Sequence, residues 1–119
     1  MIRSNGFKKI NIAIFISGNG SNLKSLIKFS LKKNSRFIIN LVISDNLKAK
    51  GLIYAKKYKI KKRIINYKNI KIAENKILFY LKNYNINLIC LAGFMKILSK
   101  KIINKYKNRI LNIHPSLLP

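Results

Sequence analysis

The end of this chain carries side chains suited to chemistry. Asn112 and His114 stand two residues apart, and His114 is the only histidine in the 119 residues. In a strand, side chains alternate between the two faces, so this spacing points both to one side. An amide donor and an imidazole together can bind a substrate and move its protons. Residues 112–119 are therefore a candidate active site.

A second polar segment, residues 17–22, reads Ser-Gly-Asn-Gly-Ser-Asn. Gly18 and Gly20 allow a tight turn with close backbone approach, and a helix is expected to follow. The amide groups at a helix N-terminus favour a phosphate. The segment matches neither GxGxxG nor the P-loop pattern. A plain tight turn with an N-cap is the alternative, but a position directly after a strand favours phosphate binding.

A third segment, residues 93–98, begins with Gly93 directly after the apolar run 88–92 and contains both apolar side chains and a lysine. It is either a loop that lines a pocket or ordinary packing of Phe94, Met95 and Leu98 over the sheet.

Short apolar runs, rich in isoleucine, alternate with stretches of helical length. Strands are predicted at 10–16, 37–43, 64–65, 88–92 and 110–113. Helices are predicted over 23–31, over 48–58, over 73–81 and after Ser99, a plausible N-cap. This alternation predicts a single α/β domain, a Rossmann-like parallel sheet with helices on both faces. Ligands of such sheets bind beyond the carboxyl ends of the strands, which selects residues 17–22, residues 93–98 and the tail after Ile113.

The net charge of +24 would ordinarily suggest a nucleic acid or an anionic membrane as partner. However, the chain contains 22 Lys, 23 Ile and 16 Asn, the residues with the codons richest in A and T. Its lysines also run from Lys8 to Lys107 without clustering. We therefore attribute the charge to mutational bias and expect only non-specific attraction to nucleic acid.

The remaining composition indicates a cytoplasmic protein. Cys90 lies alone in the apolar run 88–92, so a small buried hydrophobe is favoured over a nucleophile, and a reducing compartment fits. Nothing resembles a signal peptide or approaches the ~18–20 apolar residues of a membrane span. We expect no metal site.

In order and spacing, residues 14–23, 91–99 and 109–119 together resemble phosphoribosylglycinamide formyltransferase, the folate-dependent enzyme of purine synthesis. The resemblance runs from about Asn11 to Pro119. Related formyltransferases acting on methionyl-tRNA, a less favoured alternative, share the His-x-Ser-Leu-Leu-Pro segment but lack the Ser-Gly-Asn-Gly-Ser-Asn loop.

The resemblance implies a role for each segment. Gly20, Ser21 and Asn22 would bind the phosphate of glycinamide ribonucleotide. The co-substrate 10-formyltetrahydrofolate would contact five residues, namely Met95, Lys96, Ile97, Leu98 and Asn112. Asn112 and His114 match the catalytic pair of the family.

Departures from the family concern length and two charged residues. Members are typically near 200 residues, so we expect residues 10–119 to form the N-terminal portion of the fold, truncated, after a basic extension over 1–9. The catalytic aspartate has no match in Asp45 or Glu74, and the substrate-binding arginine has only lysines near it, such as Lys68 and Lys71. The family usually has arginine where Lys96 stands.

These departures leave several expectations open. The chain could belong to a split or truncated gene, be a fragment, or be an inactive remnant. As an enzyme it would be impaired alone, or depend on a separately encoded C-terminal piece or on a second copy of itself. The alternative from another class is a basic α/β module that binds nucleic acid without catalysis.

Overall fold

The structure, a computed structural model, describes residues 9–113. Over this range five strands alternate with four helices. In chain order the elements are β1 (Ile10–Ile16), α1 (Ser21–Ser30), β2 (Phe37–Ser44), α2 (Leu52–Lys57), β3 (Lys61–Ile64), α3 (Ile70–Asn83), β4 (Leu88–Leu91), α4 (Lys100–Lys105) and β5 (Ile110–Asn112).

The five strands form one parallel sheet in the order β3-β2-β1-β4-β5. The central strand β1 is buried on both faces from Ile12 to Ile16, which is why its sequence is almost continuously apolar. The predicted α/β class and Rossmann-like parallel sheet are confirmed.

The helices cover opposite faces of the sheet. On one face, α1 and α2 pack through Leu23, Ile27, Leu52 and Ala55. On the other face, α3 and α4 pack through Ala73, Ile77, Leu81 and Ile102. Each helix thus buries one apolar stripe and leaves its lysines in solvent. The two-faced arrangement predicted from the β-α alternation is confirmed.

Two elements differ most from the sequence prediction. The helix expected over 48–58 begins only at Leu52, because residues 46–51 form turns in which the Ala49 N–H donates to the Asn46 carbonyl oxygen at 3.0 Å. The strand expected at 64–65 lies at Lys61–Ile64 instead. It is an edge strand with mostly exposed side chains, so its lysines hide it from a search for apolar runs.

Other local predictions are confirmed. Ser99 caps α4 by accepting the Ile102 N–H at 3.3 Å. Cys90 is buried, and burial raises the pKa of its thiol to about 11, so it stays protonated and unreactive at neutral pH. Of the helices between residues 9 and 113, none combines the length and apolar character that crossing a membrane requires.

The strand order places a crevice at the centre of the sheet. From β1 the chain runs outward through β2 to β3, then returns so that β4 pairs with the opposite edge of β1. The connections therefore diverge at the carboxyl ends of β1 and β4. Such a switch point is where open parallel sheets bind their ligands.

Candidate active site

The glycine-containing loop after β1 and the loop after β4 together enclose a depression at this switch point. Its volume is about 250 Å³, and its lining consists of residues 18–22 with Ala92 and Gly93. The structure thus brings Gly20, Ser21 and Asn22, the predicted phosphate ligands, to one surface.

The first turn of α1 is open towards this depression. Gly20 is the N-cap residue, with φ at 77°, and supplies no side chain to cap the helix. The Ser21 N–H donates to Asn19 Oδ1 at 3.2 Å. An N-terminus whose cap residue has no side chain is suited to an anion, because its amide dipoles point outward.

A further glycine, Gly51 at the start of α2, contacts this loop on the side away from the depression. Its N–H donates to the Gly18 carbonyl oxygen at 3.0 Å. A Cβ atom on Gly20 would lie 2.3 Å from Gly51 Cα, so both positions require glycine for this close approach. Sequence reasoning missed Gly51, because the contact joins residues 31 positions apart.

The loop after β4 presents its predicted co-substrate residues unequally. Met95 and Ile97 are 79% and 88% exposed, and Lys96 is exposed beside them. Leu98 is instead buried in the core under α3 and α4. Phe94 packs edge-on against Phe15 at 5.2 Å between ring centroids. The alternative of plain packing therefore describes Phe94 and Leu98 but not Met95.

A larger polar cleft of about 780 Å³ lies beside the depression, at the carboxyl ends of β1, β2 and β3. Its lining comprises Ser17, Asp45, Asn46, Leu47, Ile64, Asn66, Tyr67, Lys68 and Lys96. The structure places Lys68 in this cleft with Lys96. Lys71 instead pairs with Glu74 at 3.4 Å, so of the two lysines considered for the arginine role only Lys68 faces the site.

Tyr67 contributes a phenol to the cleft wall. Burial, together with the nearby negative charge of Asp45, raises its pKa to about 12, so the hydroxyl keeps its proton at neutral pH. That hydroxyl is buried and has no hydrogen-bond partner within residues 9–113. Its ring packs against Phe94 at 6.0 Å and lies 6.0 Å from Lys96 Nζ. Tyr67 therefore helps to hold the loop that carries Lys96.

Of the predicted catalytic pair, the structure describes one member. Asn112 is exposed at the end of the edge strand β5, in register with Leu91 of β4. The next residue, Ile113, donates its N–H to the Leu91 carbonyl oxygen at 2.9 Å. His114 lies outside the described residues. Asn112 thus lies at the carboxyl end of its strand, on the same side of the sheet as the loops after β1 and β4.

A comparison with protein-family models matches residues 10–119 to formyl transferase. The chain belongs to the formyl transferase family. The phosphoribosylglycinamide formyltransferase of Haemophilus influenzae is 40% identical over 111 residues, which are 91% of this chain and 52% of that protein. The trifunctional purine biosynthetic protein adenosine-3 of Homo sapiens is 44% identical over 115 residues, 94% of this chain and 11% of that protein.

A solved structure agrees with these sequence relatives. The phosphoribosylglycinamide formyltransferase of Brucella melitensis superposes with a TM-score of 0.86 at 39% identity, covering 94% of this chain and 60% of that one. This formyl transferase chain therefore spans between half and two thirds of the single-function relatives that it matches, and a small part of the trifunctional one.

Proposed function

We propose that this chain carries the ribonucleotide site and the catalytic pair of a phosphoribosylglycinamide formyltransferase, which transfers a formyl group from 10-formyltetrahydrofolate to glycinamide ribonucleotide. The depression between residues 18–22 and Gly93 carries the proposal, because it joins an open helix N-terminus to the co-substrate loop at the switch point. The compartment that fits is the cytoplasm.

In this proposal the phosphate-binding residues are Gly20, Ser21 and Asn22. The backbone amides of the first turn of α1 donate to the phosphate oxygens, and the ribose and glycinamide extend towards β4 and β5. The neighbouring lysines raise the local concentration of both substrates, since both are anionic.

The co-substrate lies along residues 95–98 and reaches Asn112. Met95, Lys96 and Ile97 present exposed groups to it, and Leu98 supports the loop from the core. Lys96 and Lys68 face the same cleft, where an ammonium group attracts a carboxylate as a point charge without the fork geometry of arginine.

Asn112 and His114 carry the reaction. The amine of the ribonucleotide attacks the formyl carbon, and the formyl oxygen gains negative charge. The Asn112 amide and a protonated His114 donate hydrogen bonds to that oxygen. As the bond between the formyl carbon and N10 of the folate breaks, His114 helps to move the proton lost by the amine to N10. The products are the ribonucleotide with its amine formylated and tetrahydrofolate.

The charge of the chain supplies the competing explanation, a basic module that binds nucleic acid. Calorimetric titrations with glycinamide ribonucleotide, ribose 5-phosphate and single-stranded RNA, each at low and moderate salt, separate the two. We expect saturable ribonucleotide binding that persists at moderate salt and exceeds that of ribose 5-phosphate. RNA affinity should fall steeply with salt, because it depends on counterion release. Equal, salt-sensitive binding of all three ligands would leave only non-specific attraction.

A further inference from the structure

The hydroxyl of Ser17 connects the segments that follow β1, β2 and β4, which are far apart in the sequence. Ser17 follows β1, and its Oγ donates to Asp45 Oδ1, after β2, at 2.5 Å. The same Oγ accepts the Met95 N–H, after β4, at 2.8 Å. A hydroxyl has one proton, so donation to Asp45 leaves its lone pairs free to accept from Met95.

The backbone on both sides of Asp45 is held in place. The fully buried Ser44 donates its hydroxyl to the Asn46 carbonyl oxygen at 2.9 Å and accepts the Asn46 N–H at 3.0 Å. The Asn46 side chain in turn donates to the Ser17 carbonyl oxygen at 3.4 Å. Asp45 is one of only two acidic residues in the sequence, and a bond to a carboxylate polarises the Ser17 hydroxyl, which makes it a stronger acceptor for Met95.

On the other side of this bond, the Met95 side chain is too exposed to anchor its loop. It is 79% exposed, and Gly93 before it has φ at 74°. The Phe94 ring packs into the core, whereas Lys96 and Ile97 lie in solvent. Between the packed side chains of Phe94 and Leu98, the bond to Ser17 therefore fixes the backbone at Met95.

We propose that Ser17 and Asp45 are positioning residues that set the co-substrate loop, residues 95–98, against the phosphate loop. This inference rests on the proposed function. Ser17 directly precedes Gly18 and bonds to Met95, so one side chain connects the two substrate sites. Loss of its hydroxyl should loosen the folate side while leaving the phosphate side, which Gly51 holds separately, nearly intact.

The test compares Ser17→Ala with Ser17→Thr, which keeps the hydroxyl, and with Ser30→Ala as a matched control. Ser30 donates to the Ile27 carbonyl oxygen within α1, away from both loops. In Ser17→Ala, we expect hydrogen exchange at the Met95 amide to accelerate about fivefold to tenfold. This is the change that the loss of roughly one hydrogen bond would produce. The exchange rates of the Ser21 and Asn22 amides should change by less than about twofold, which is well below the effect of losing one hydrogen bond.

Binding provides a second readout. The dissociation constant of tetrahydrofolate should rise about fivefold to tenfold in Ser17→Ala and in Asp45→Ala, while that of glycinamide ribonucleotide stays within about twofold. Ser17→Thr should keep both the Met95 exchange rate and the tetrahydrofolate dissociation constant near those of the unaltered chain. Unchanged Met95 exchange, or equal weakening of both ligands, would overturn the positioning role. If the unaltered chain binds neither ligand, the proposed function fails, and Met95 exchange alone then decides whether Ser17 holds the loop.

Discussion

Gly20→Val is expected to abolish measurable binding of glycinamide ribonucleotide. The new Cβ would lie 2.3 Å from Gly51 Cα and 3.2 Å from Gly51 N, both of them backbone atoms that cannot swing aside. The φ of 77° at this position is also strained for a β-branched residue. Such strain costs about 1–3 kcal/mol. The loop must therefore move away from α2, and the open first turn of α1 moves with it.

The neighbouring glycines make this test specific. A Cβ on Gly18 would meet nothing within 4 Å, so Gly18→Ala should keep the stability and the shape of the loop and should weaken binding less than Gly20→Val does. A Cβ on Gly51 would lie 2.7 Å from Ile16 Cδ1 and 2.9 Å from Gly20 Cα, so Gly51→Ala should weaken binding although it lies outside the motif. Calorimetry gives the affinities, and circular dichroism shows whether each variant is folded. Wild-type affinity in Gly20→Val would contradict the proposed site.

The second large effect concerns an apolar groove on the sheet face that carries α1 and α2. The groove has a volume of about 160 Å³ and runs beside α1 over β4 and β5. Among its lining residues, Phe29 and Leu111 are 47% and 49% exposed. Cys90 and Ile113 line it as well, so it reaches the last described residue. A groove of this kind offers apolar side chains that a segment of a partner can cover.

We propose that the portion following the matched segment in the formyltransferase relatives occupies this groove. In the Haemophilus influenzae relative the match covers 52% of the protein, so nearly half of it lies outside the match. Mixing residues 1–119 with the corresponding C-terminal portion of that relative should give a one-to-one complex. The thermal midpoint should rise by about 5–10 °C, the shift expected for one to two kcal/mol in a domain of this size.

Two matched substitutions test where the partner docks. Leu111→Lys places a charge in the groove and should prevent the complex. Ile103→Lys alters a similarly exposed residue, 44% against 49%, on α4 at the opposite face, and should have no effect. A complex that survives Leu111→Lys would contradict docking in the groove. A homodimer that Leu111→Lys dissolves would make a second copy of the chain the occupant instead.

The sequence allowed the architecture to be predicted because its strands are mostly interior. Strands such as β1 and β4 are buried by helices on both sides, so their apolar runs mark them directly. The edge strand β3 could not be found in the same way, because Lys61 and Lys62 are exposed there. The start of α2 was also missed, because residues 46–51 form turns ahead of the helix, one of them closed by the Ala49 N–H and the Asn46 carbonyl oxygen.

The candidate site was predicted only as far as its motifs reach. The loops after β1 and β4 stood out by composition, and the strand-end rule brought them together. The strand-end rule applies equally to the loop after β2, which carries Asp45. That loop was passed over because Asp45 does not lie in a motif that matches the catalytic aspartate of the family. Its hydrogen bond to Ser17 depends on β2 pairing directly with β1, which the strand order decides and no single segment encodes.

The most direct measurement is formyl transfer from 10-formyltetrahydrofolate to glycinamide ribonucleotide. It should be made with residues 1–119 alone and with added C-terminal portion of the Haemophilus influenzae relative. The account predicts very slow or undetectable transfer by the chain alone, since neither Asp45 nor Glu74 lies in a motif that matches the catalytic acid. The mixture should transfer formyl groups, and His114→Ala in this chain should remove that activity. Absence of transfer from a mixture that forms the complex, or transfer that His114→Ala leaves unchanged, would contradict the proposed function.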